Sequence, residues 1–159
     1  MNWEVDITIE EPFEKQVSEE WLKLVIDSVM LVEPVGHPVE LSLLITGDET
    51  VRELNRIYRQ IDSTTDVLAF AMQEGEDFPS APEEVIQLGE VIISFPQAER
   101  QANQTDFSIK QEVTILTIHG MLHLLGYNHE SDEDAHIMEA KENVVFQNVF
   151  QPPIDHKPT

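Results

Sequence analysis

The sequence predicts an α+β fold in a single domain, a mixed four-stranded sheet covered by helices, and three observations support it. With 159 residues, the chain has the size of one compact domain. Segments with the two-residue period of strands are interspersed with segments of helical spacing, which favours helices packed on a sheet. Residues 108–125 have the pattern of an almost wholly apolar helix with two histidines, which we place at the centre of the fold. The domain is predicted to span 1–150, with 151–159 as a flexible tail.

The first half of the chain predicts two strands and two helices. Residues 3–9 alternate apolar and polar side chains, as a half-buried strand does. Ser18 is a good N-cap for the helix that follows. Thr46 and Glu49 have the spacing of a capping box, which predicts that the next helix starts there. The predicted elements are a strand at 3–9, a helix at 18–32, a strand at 39–45 and a helix from 46 to about 58.

The second half predicts two strands and three helices. An acidic segment with two prolines, residues 73–85, separates the strands, and we expect it to be a mobile surface loop. Ser108 and Gln111 form a second capping-box spacing, directly before the apolar helix. The predicted elements are strands at 66–72 and 88–94 and helices at 96–103, 108–125 and 131–150.

The composition restricts both the partners and the chemistry. A net charge of −22 favours solubility and repels a nucleic acid at long range, so RNA binding would need a local basic cleft or a docking partner. The chain has no cysteine, which excludes disulfides, thiolate metal sites and a cysteine nucleophile. A transition metal would therefore be held by histidine together with carboxylate or water.

The sequence shows no feature of a membrane or exported protein. No apolar run approaches the roughly 20 residues that would cross a bilayer. The N-terminal residues are acidic and alternating, unlike a signal peptide. We therefore expect a cytoplasmic protein with neither a membrane nor DNA as a partner.

Three histidines have the spacing of a metal site. His119 and His123 are four residues apart, so both point from one face of a helix. Gly126 is the residue type that ends a helix in a left-handed turn, which lets the chain double back and bring His129 to the same point. Three neutral imidazoles leave one exchangeable position on zinc, as catalytic sites do. We expect one ion per chain, most simply Zn²⁺, although three imidazoles also suit other divalent metals.

Gly120 separates this pattern from that of zinc proteases. The spacing matches H-E-x-x-H-x-x-G-x-x-H at the three histidines and the glycine, but Gly120 occupies the position of the glutamate that serves as general base. Peptide hydrolysis by that mechanism is therefore not expected. Water bound to zinc can still reach a pKa of about 7, and it could attack a phosphodiester if a cation offset the phosphate charge.

Arginines supply a candidate for that cation. Three of the four arginines of the chain, Arg52, Arg56 and Arg59, lie within about 60° of one another on the predicted helix. Guanidinium suits phosphate because it donates two parallel hydrogen bonds. The spacing is equally compatible with the solvated face of an amphipathic helix.

Three segments together resemble the YbeY family of endoribonucleases, also called rRNA maturation factors. They are LNRIYRQIDSTTDVLAF at 54–70, LGEVIIS at 88–94 and HGMLHLLGYNHE at 119–130. The resemblance implies a zinc-dependent enzyme that cuts single-stranded rRNA, matures the 3′ end of 16S rRNA and takes part in ribosome quality control. It implies the small ribosomal subunit or ribosome-associated proteins as partners, His119, His123 and His129 as zinc ligands, and Arg59 as the arginine that serves the RNA or catalysis.

Asn128 departs from the family pattern, in which an aspartate commonly precedes the third histidine. Asparagine can orient a neighbour by hydrogen bonding but adds no negative charge near a metal. If an acid at this position tunes the water on the metal, this chain should differ in rate or pH dependence.

Two other functions remain open from the residues. One is a metal-dependent hydrolase of another bond, including an atypical peptidase, against which Gly120 counts. The other is a non-catalytic ribosome-assembly factor with a structural metal, in which a side chain such as Glu130 would close the fourth position.

Overall fold

The computed structural model describes residues 2–72 and 83–150. The predicted tail and most of the predicted acidic loop lie outside these ranges. In chain order the elements are β1 (Trp3–Ile9), a 3₁₀ turn (Glu11–Phe13), α1 (Glu19–Val32), β2 (Val39–Thr46), α2 (Asp48–Arg59), β3 (Val67–Ala71), β4 (Ile86–Ser94), α3 (Phe95–Asn103), α4 (Ile109–Leu124) and α5 (Asp132–Phe150).

The four strands form one mixed sheet in the order β1-β2-β4-β3. The pairs β1–β2 and β2–β4 are parallel, whereas β3 runs antiparallel to β4 at the edge. The predicted α+β fold with a mixed four-stranded sheet is therefore confirmed. No helix within the described ranges is long and apolar enough to cross a membrane.

The two faces of the sheet are covered unequally. Alternate side chains of the strands join α1, α4 and α5 in the main core, where Ile45, Ile93 and Met121 are fully buried. The intervening side chains on the opposite face form a smaller cluster, in which Leu68 and Ile92 pack against Val51 of α2. The large core therefore lies under α4, and α2 covers part of the other face.

Helix α4 has the central position that its apolar pattern predicts. Its start is the predicted capping box: Ser108 Oγ accepts the backbone N–H of Gln111 at 3.1 Å, and the Gln111 side chain accepts the N–H of Ser108 at 2.9 Å. Together these bonds satisfy two backbone N–H groups at the helix start and define where α4 enters the core.

The predicted capping box at the start of α2 is wrong. Thr46 is the last residue of β2, and its hydroxyl donates to Glu10 Oε1 at 2.6 Å rather than capping a helix. Gly47 takes the N-cap position without a side-chain hydrogen bond. The parallel pairing of β2 extends through Thr46, which therefore belongs to the strand. The 3₁₀ turn at Glu11–Phe13 was not predicted, and β4 begins two residues earlier than expected, at Ile86.

Candidate metal centre and neighbouring arginine

The three predicted histidines converge. One ring nitrogen from each of His119, His123 and His129 lies within 4.8 Å of the other two. The ring centroids are 4.6 Å apart for the first pair, 5.1 Å for His123 and His129, and 5.5 Å for the remaining pair. His119 and His123 project from one face of α4, whereas His129 follows the end of that helix. Across the described chain no carboxylate joins this group, so Glu130 does not complete it.

Gly126 produces the reversal that brings His129 back. It has a φ of +102°, and its N–H donates to the His123 carbonyl at 3.0 Å. The next N–H, that of Tyr127, donates to the Leu122 carbonyl at 3.0 Å. This pair of bonds is a Schellman motif, which satisfies the last carbonyls of α4 and requires the left-handed conformation that glycine adopts without strain.

Two further hydrogen bonds hold the segment that carries His129. The Tyr127 hydroxyl donates to Glu33 Oε1 at 2.9 Å, and Lys141 Nζ lies 2.9 Å from the same oxygen. Asn128 Oδ1 accepts the backbone N–H of Glu130 at 3.1 Å, which forms a turn across His129. An aspartate could accept the same bond, so the departure from the family pattern keeps the turn and changes the charge beside His129 by one unit.

The surroundings favour the neutral form of His123. Burial, and then the electrostatic effects of His119, His129 and Arg59, lower the pKa of His123 from 6.5 to about 4. At neutral pH its imidazole is therefore neutral, which is the form that binds a metal ion. Three imidazole nitrogens at this separation fit a divalent transition ion such as Zn²⁺.

His119 has a second partner that the sequence did not reveal. Its Nδ1 lies 2.7 Å from Glu142 Oε2, on α5, while its Nε2 lies 3.1 Å from His123 Nε2. Glu142 is 23 residues from His119 in the sequence. The sequence near Glu142 shows only that the apolar face of α5, with Met138 and Val145, lies on the same side of the helix. This pattern does not specify which residue of α4 Glu142 contacts.

Gly120 is required by packing. It is buried, and a Cβ atom added there would lie 2.5 Å from Val91 Cγ1 and 3.4 Å from Val67 Cγ2. The helix therefore approaches β3 and β4 so closely that a Cβ at this position would force the Val91 side chain or the helix to shift. The position that carries the general base in the zinc-protease pattern faces the sheet in this fold.

The four arginines differ in whether a carboxylate already pairs with them. Arg52 Nε lies 2.8 Å from Asp62 Oδ1, Arg56 pairs with Glu53 one turn away, and Arg100 Nη2 lies 2.9 Å from Asp48 Oδ2. Over residues 2–72 and 83–150, Arg59 is the one arginine without an ion pair. It is exposed at the C-terminus of α2, and its charge reaches the histidine cluster, since it contributes to lowering the pKa of His123.

The loop after Arg59 is held against α2. Gln60 ends the helix in a left-handed conformation with φ 58°, which is uncommon for a residue other than glycine. The buried Asn55 side chain donates to the Ser63 carbonyl at 2.9 Å and ties this loop back to the helix. Two large apolar residues in the last turns of α2, Ile57 and Tyr58, are 49% and 63% exposed.

Comparison with known proteins identifies relatives over nearly the whole chain. The family model described as Endoribonuclease YbeY matches residues 4–149. A protein named Endoribonuclease YbeY from Dehalococcoides mccartyi is 40% identical over 154 residues, covering 92% of this chain and 93% of the relative. The protein of that name from Pelotomaculum thermopropionicum is 47% identical over 117 residues, covering 74% and 76%. The solution structure of TM1509 from Thermotoga maritima aligns with a TM-score of 0.63 and 25% identity, covering 92% of this chain and 89% of the other.

Proposed function

The chain belongs to the endoribonuclease YbeY family, and from this premise we propose that it is a zinc-dependent endoribonuclease specific for single-stranded RNA. We further propose that it acts in the cytoplasm on rRNA, in 16S 3′-end maturation and ribosome quality control. Its partners would be the small ribosomal subunit or ribosome-associated proteins.

One observation supports this proposal above the others: three imidazoles converge within reach of the charge of Arg59, an arginine that has no carboxylate partner within the described residues. A zinc ion bound there would supply a Lewis acid and would activate water for attack on phosphorus. His119, His123 and His129 would hold this ion. A catalytic group for phosphodiester cleavage also has to offset negative charge on the phosphate, and the guanidinium of Arg59, which pairs with no carboxylate of residues 2–72 and 83–150, could serve that purpose.

The pairing of the other arginines favours Arg59 for this role. Guanidinium groups already engaged by Asp62, Glu53 and Asp48 would have to give up a carboxylate before they could bind a phosphate. With a net charge of −22, the molecule repels RNA at long range. Binding of RNA at the site would therefore need a partner that delivers the substrate to Arg59. Ribosome-associated proteins would be suitable partners of this kind.

The same geometry argues against an atypical peptidase. Gly120 is packed against Val91, so a general base cannot be accommodated there without moving the helix. A structural metal would be favoured by a fourth protein ligand, and the described residues bring three histidines and no carboxylate to the group.

The test is cleavage of single-stranded rRNA fragments by purified protein with and without a metal chelator. We expect cleavage to stop on chelation, to return with added Zn²⁺ and to be absent from His123→Ala, because the metal loses one of its three protein ligands. His136→Ala is the matched control, since His136 is an exposed histidine of α5 outside the cluster, and it should cleave normally. Identical purification of both variants excludes a contaminating nuclease.

Two outcomes would overturn the proposal. Metal bound at one equivalent without any RNA cleavage, alone or with small ribosomal subunits, would favour the assembly factor. Chelator-sensitive cleavage of a peptide or another ester, with RNA left intact, would favour a hydrolase of a different bond.

A further inference from the structure

The two ring nitrogens of His119 face different partners. Nδ1 lies 2.7 Å from Glu142 Oε2, and Nε2 faces His123 Nε2 at 3.1 Å. An ionised carboxylate only accepts hydrogen bonds, so the proton of a neutral His119 ring lies on Nδ1. This leaves the lone pair on Nε2, which is the nitrogen directed toward the cluster.

We propose that Glu142 is a positioning residue of the metal centre, which holds His119 in the tautomer and ring orientation that a metal ion requires. The inference rests on the proposed function in so far as the three histidines bind a metal. Glu142 itself is not a ligand, because its oxygen contacts the ring nitrogen that faces away from the cluster and it does not belong to the converging group.

Both ends of this hydrogen bond are mounted on packed helices. On α5, Met138 and Val145 lie four residues before and three residues after Glu142, on the same helix face, and both are buried in the main core. On α4, His119 stands next to Gly120, which is in close contact with Val91 of the sheet. A ligand orientated by groups on rigid elements is held more accurately than one on a loop.

The contact is partly shielded from water, because the side chains of His119 and Glu142 are 27% and 24% exposed. Within the described ranges Glu142 is also the only carboxylate that is hydrogen-bonded to any of the three histidines. Metal-binding histidines commonly donate their other ring N–H to such a carboxylate, and loss of this partner typically weakens metal affinity by about 10–100-fold.

The competing explanation is that the pair only fastens α5 to α4. A purely structural contact would change the free energy of unfolding and leave the metal affinity of the folded protein as it was. The experiment therefore measures metal affinity and the His119 tautomer, with Glu142→Ala, the more conservative Glu142→Gln, and Glu139→Gln as the matched control. Glu139 is an exposed carboxylate on the same helix, so its variant makes the same change in net charge.

Zn²⁺ affinity is measured by competition with a chromophoric chelator, and the tautomer by ¹⁵N NMR of the metal-free protein. We expect Glu142→Ala to bind Zn²⁺ about 10–100-fold more weakly. Glu142→Gln should fall between Ala and wild type, because its amide oxygen still accepts the N–H but carries no charge. The proton of His119 should redistribute from Nδ1 toward Nε2 in Glu142→Ala, while Glu139→Gln should match the wild type in both measurements.

The inference is overturned if folded Glu142→Ala or Glu142→Gln keeps both the wild-type affinity and the wild-type tautomer. It is also overturned if Glu139→Gln lowers the Zn²⁺ affinity as much as Glu142→Gln does, since the change in net charge would then explain the effect. If Glu142→Ala does not fold, Glu142→Gln decides, because it keeps a side chain of the same shape. If the Zn²⁺ affinity depends on Glu142 but the wild-type protein does not cut RNA, the proposed function is overturned and this inference is retained.

Discussion

Helices α4 and α2 both contribute to the candidate site, but their side chains are held in opposite ways. Of the 16 residues of α4, ten are buried, among them Gly120 and Met121. Of the 12 residues of α2, only Val51 and Asn55 are buried. Packing therefore determines where the α4 histidines lie, whereas pairing with neighbouring carboxylates determines which arginine of α2 is available.

This difference shows that the functional side chains of the two helices are positioned by different kinds of contact. A ligand on a packed helix is placed by the core, and its position follows from the same contacts that stabilise the fold. A charge on an exposed helix is placed by long, mobile side chains, and its availability depends on which partners are within reach. The comparison predicts large effects where a packed or unpaired group is changed and small ones where a paired surface charge is changed.

The largest effect is expected when the unpaired and paired arginines are compared. Arg59→Ala should lower kcat for single-stranded rRNA by about 10²–10³-fold, the typical cost of losing one preorganised group that stabilises developing charge. Arg56→Ala should leave kcat nearly unchanged, because Arg56 already pairs with Glu53. Arg59→Lys keeps the charge without the two-pronged geometry, and its kcat should be intermediate. Equal losses at both arginines would mean that they act as a diffuse positive surface.

The next effect concerns the packing of α4. Gly120→Ala places a Cβ 2.5 Å from Val91 Cγ1, and the β-branched valine side chain has little freedom to rotate about χ1 and relieve the clash. Overpacking of this kind lowers the free energy of unfolding by about 1–3 kcal/mol, offset by up to about 1 kcal/mol of improved helix propensity. Urea denaturation measures the difference. Val91→Ala should relieve part of the loss in the double variant, and Gly36→Ala is the control, since nothing lies within 4 Å of its Cβ. An unchanged midpoint for Gly120→Ala would show that α4 can move away from the sheet.

A smaller effect is expected in the pH dependence of the metal-free protein. The pKa of His123 is about 4 in the folded chain and about 6.5 unfolded, so the unfolded chain binds more protons between these values. The stability associated with the neutral His123 is fully present above pH 6.5, and it is lost as the pH falls toward 4. As the pH falls from 6.5 to 4, the free energy of unfolding of the wild type should therefore decrease relative to that of His123→Gln, as measured by denaturation at each pH. A constant difference would mean that His123 titrates alike in both states.

The smallest effect is expected at Asn128. Asn128→Asp keeps an acceptor for the Glu130 N–H and adds a negative charge beside His129. Since a nearby negative charge raises the pKa of a group that loses a proton, the acidic limb of the pH–rate profile should move to higher pH. Asn128→Ala removes the turn bond without adding charge and separates the two contributions. An unchanged profile for Asn128→Asp would remove any tuning role for the charge at this position.

Local patterns predicted the part of the site on α4. The spacing of His119 and His123, the capping box at Ser108 and the glycine at 126 all depend on residues within about five positions of one another. Hydrogen bonds and helical geometry over that distance are set by the backbone, and so the sequence shows them directly. The same reasoning failed at Thr46, because the pairing of β2 with β4 extends the strand over a segment with a capping-box pattern.

The partners of these residues depend on contacts between distant segments. Glu142 meets His119 because α5 packs beside α4, and no sequence pattern specifies the register of one helix against another. Arg59 differs from Arg52 only through the carboxylates that the fold brings near, although all three arginines of α2 share one face in the sequence pattern.

Residue order alone was sufficient for the α+β class, the central helix and the convergence of three histidines, because short-range geometry and apolar periodicity encode them. The close approach at Gly120, the carboxylate behind His119 and the lack of an ion pair at Arg59 among the described residues emerged from the folded molecule. The first two are distances between side chains far apart along the chain, which exist only once the core has brought the elements together, and the third depends on which carboxylates the folded chain brings within reach of Arg59.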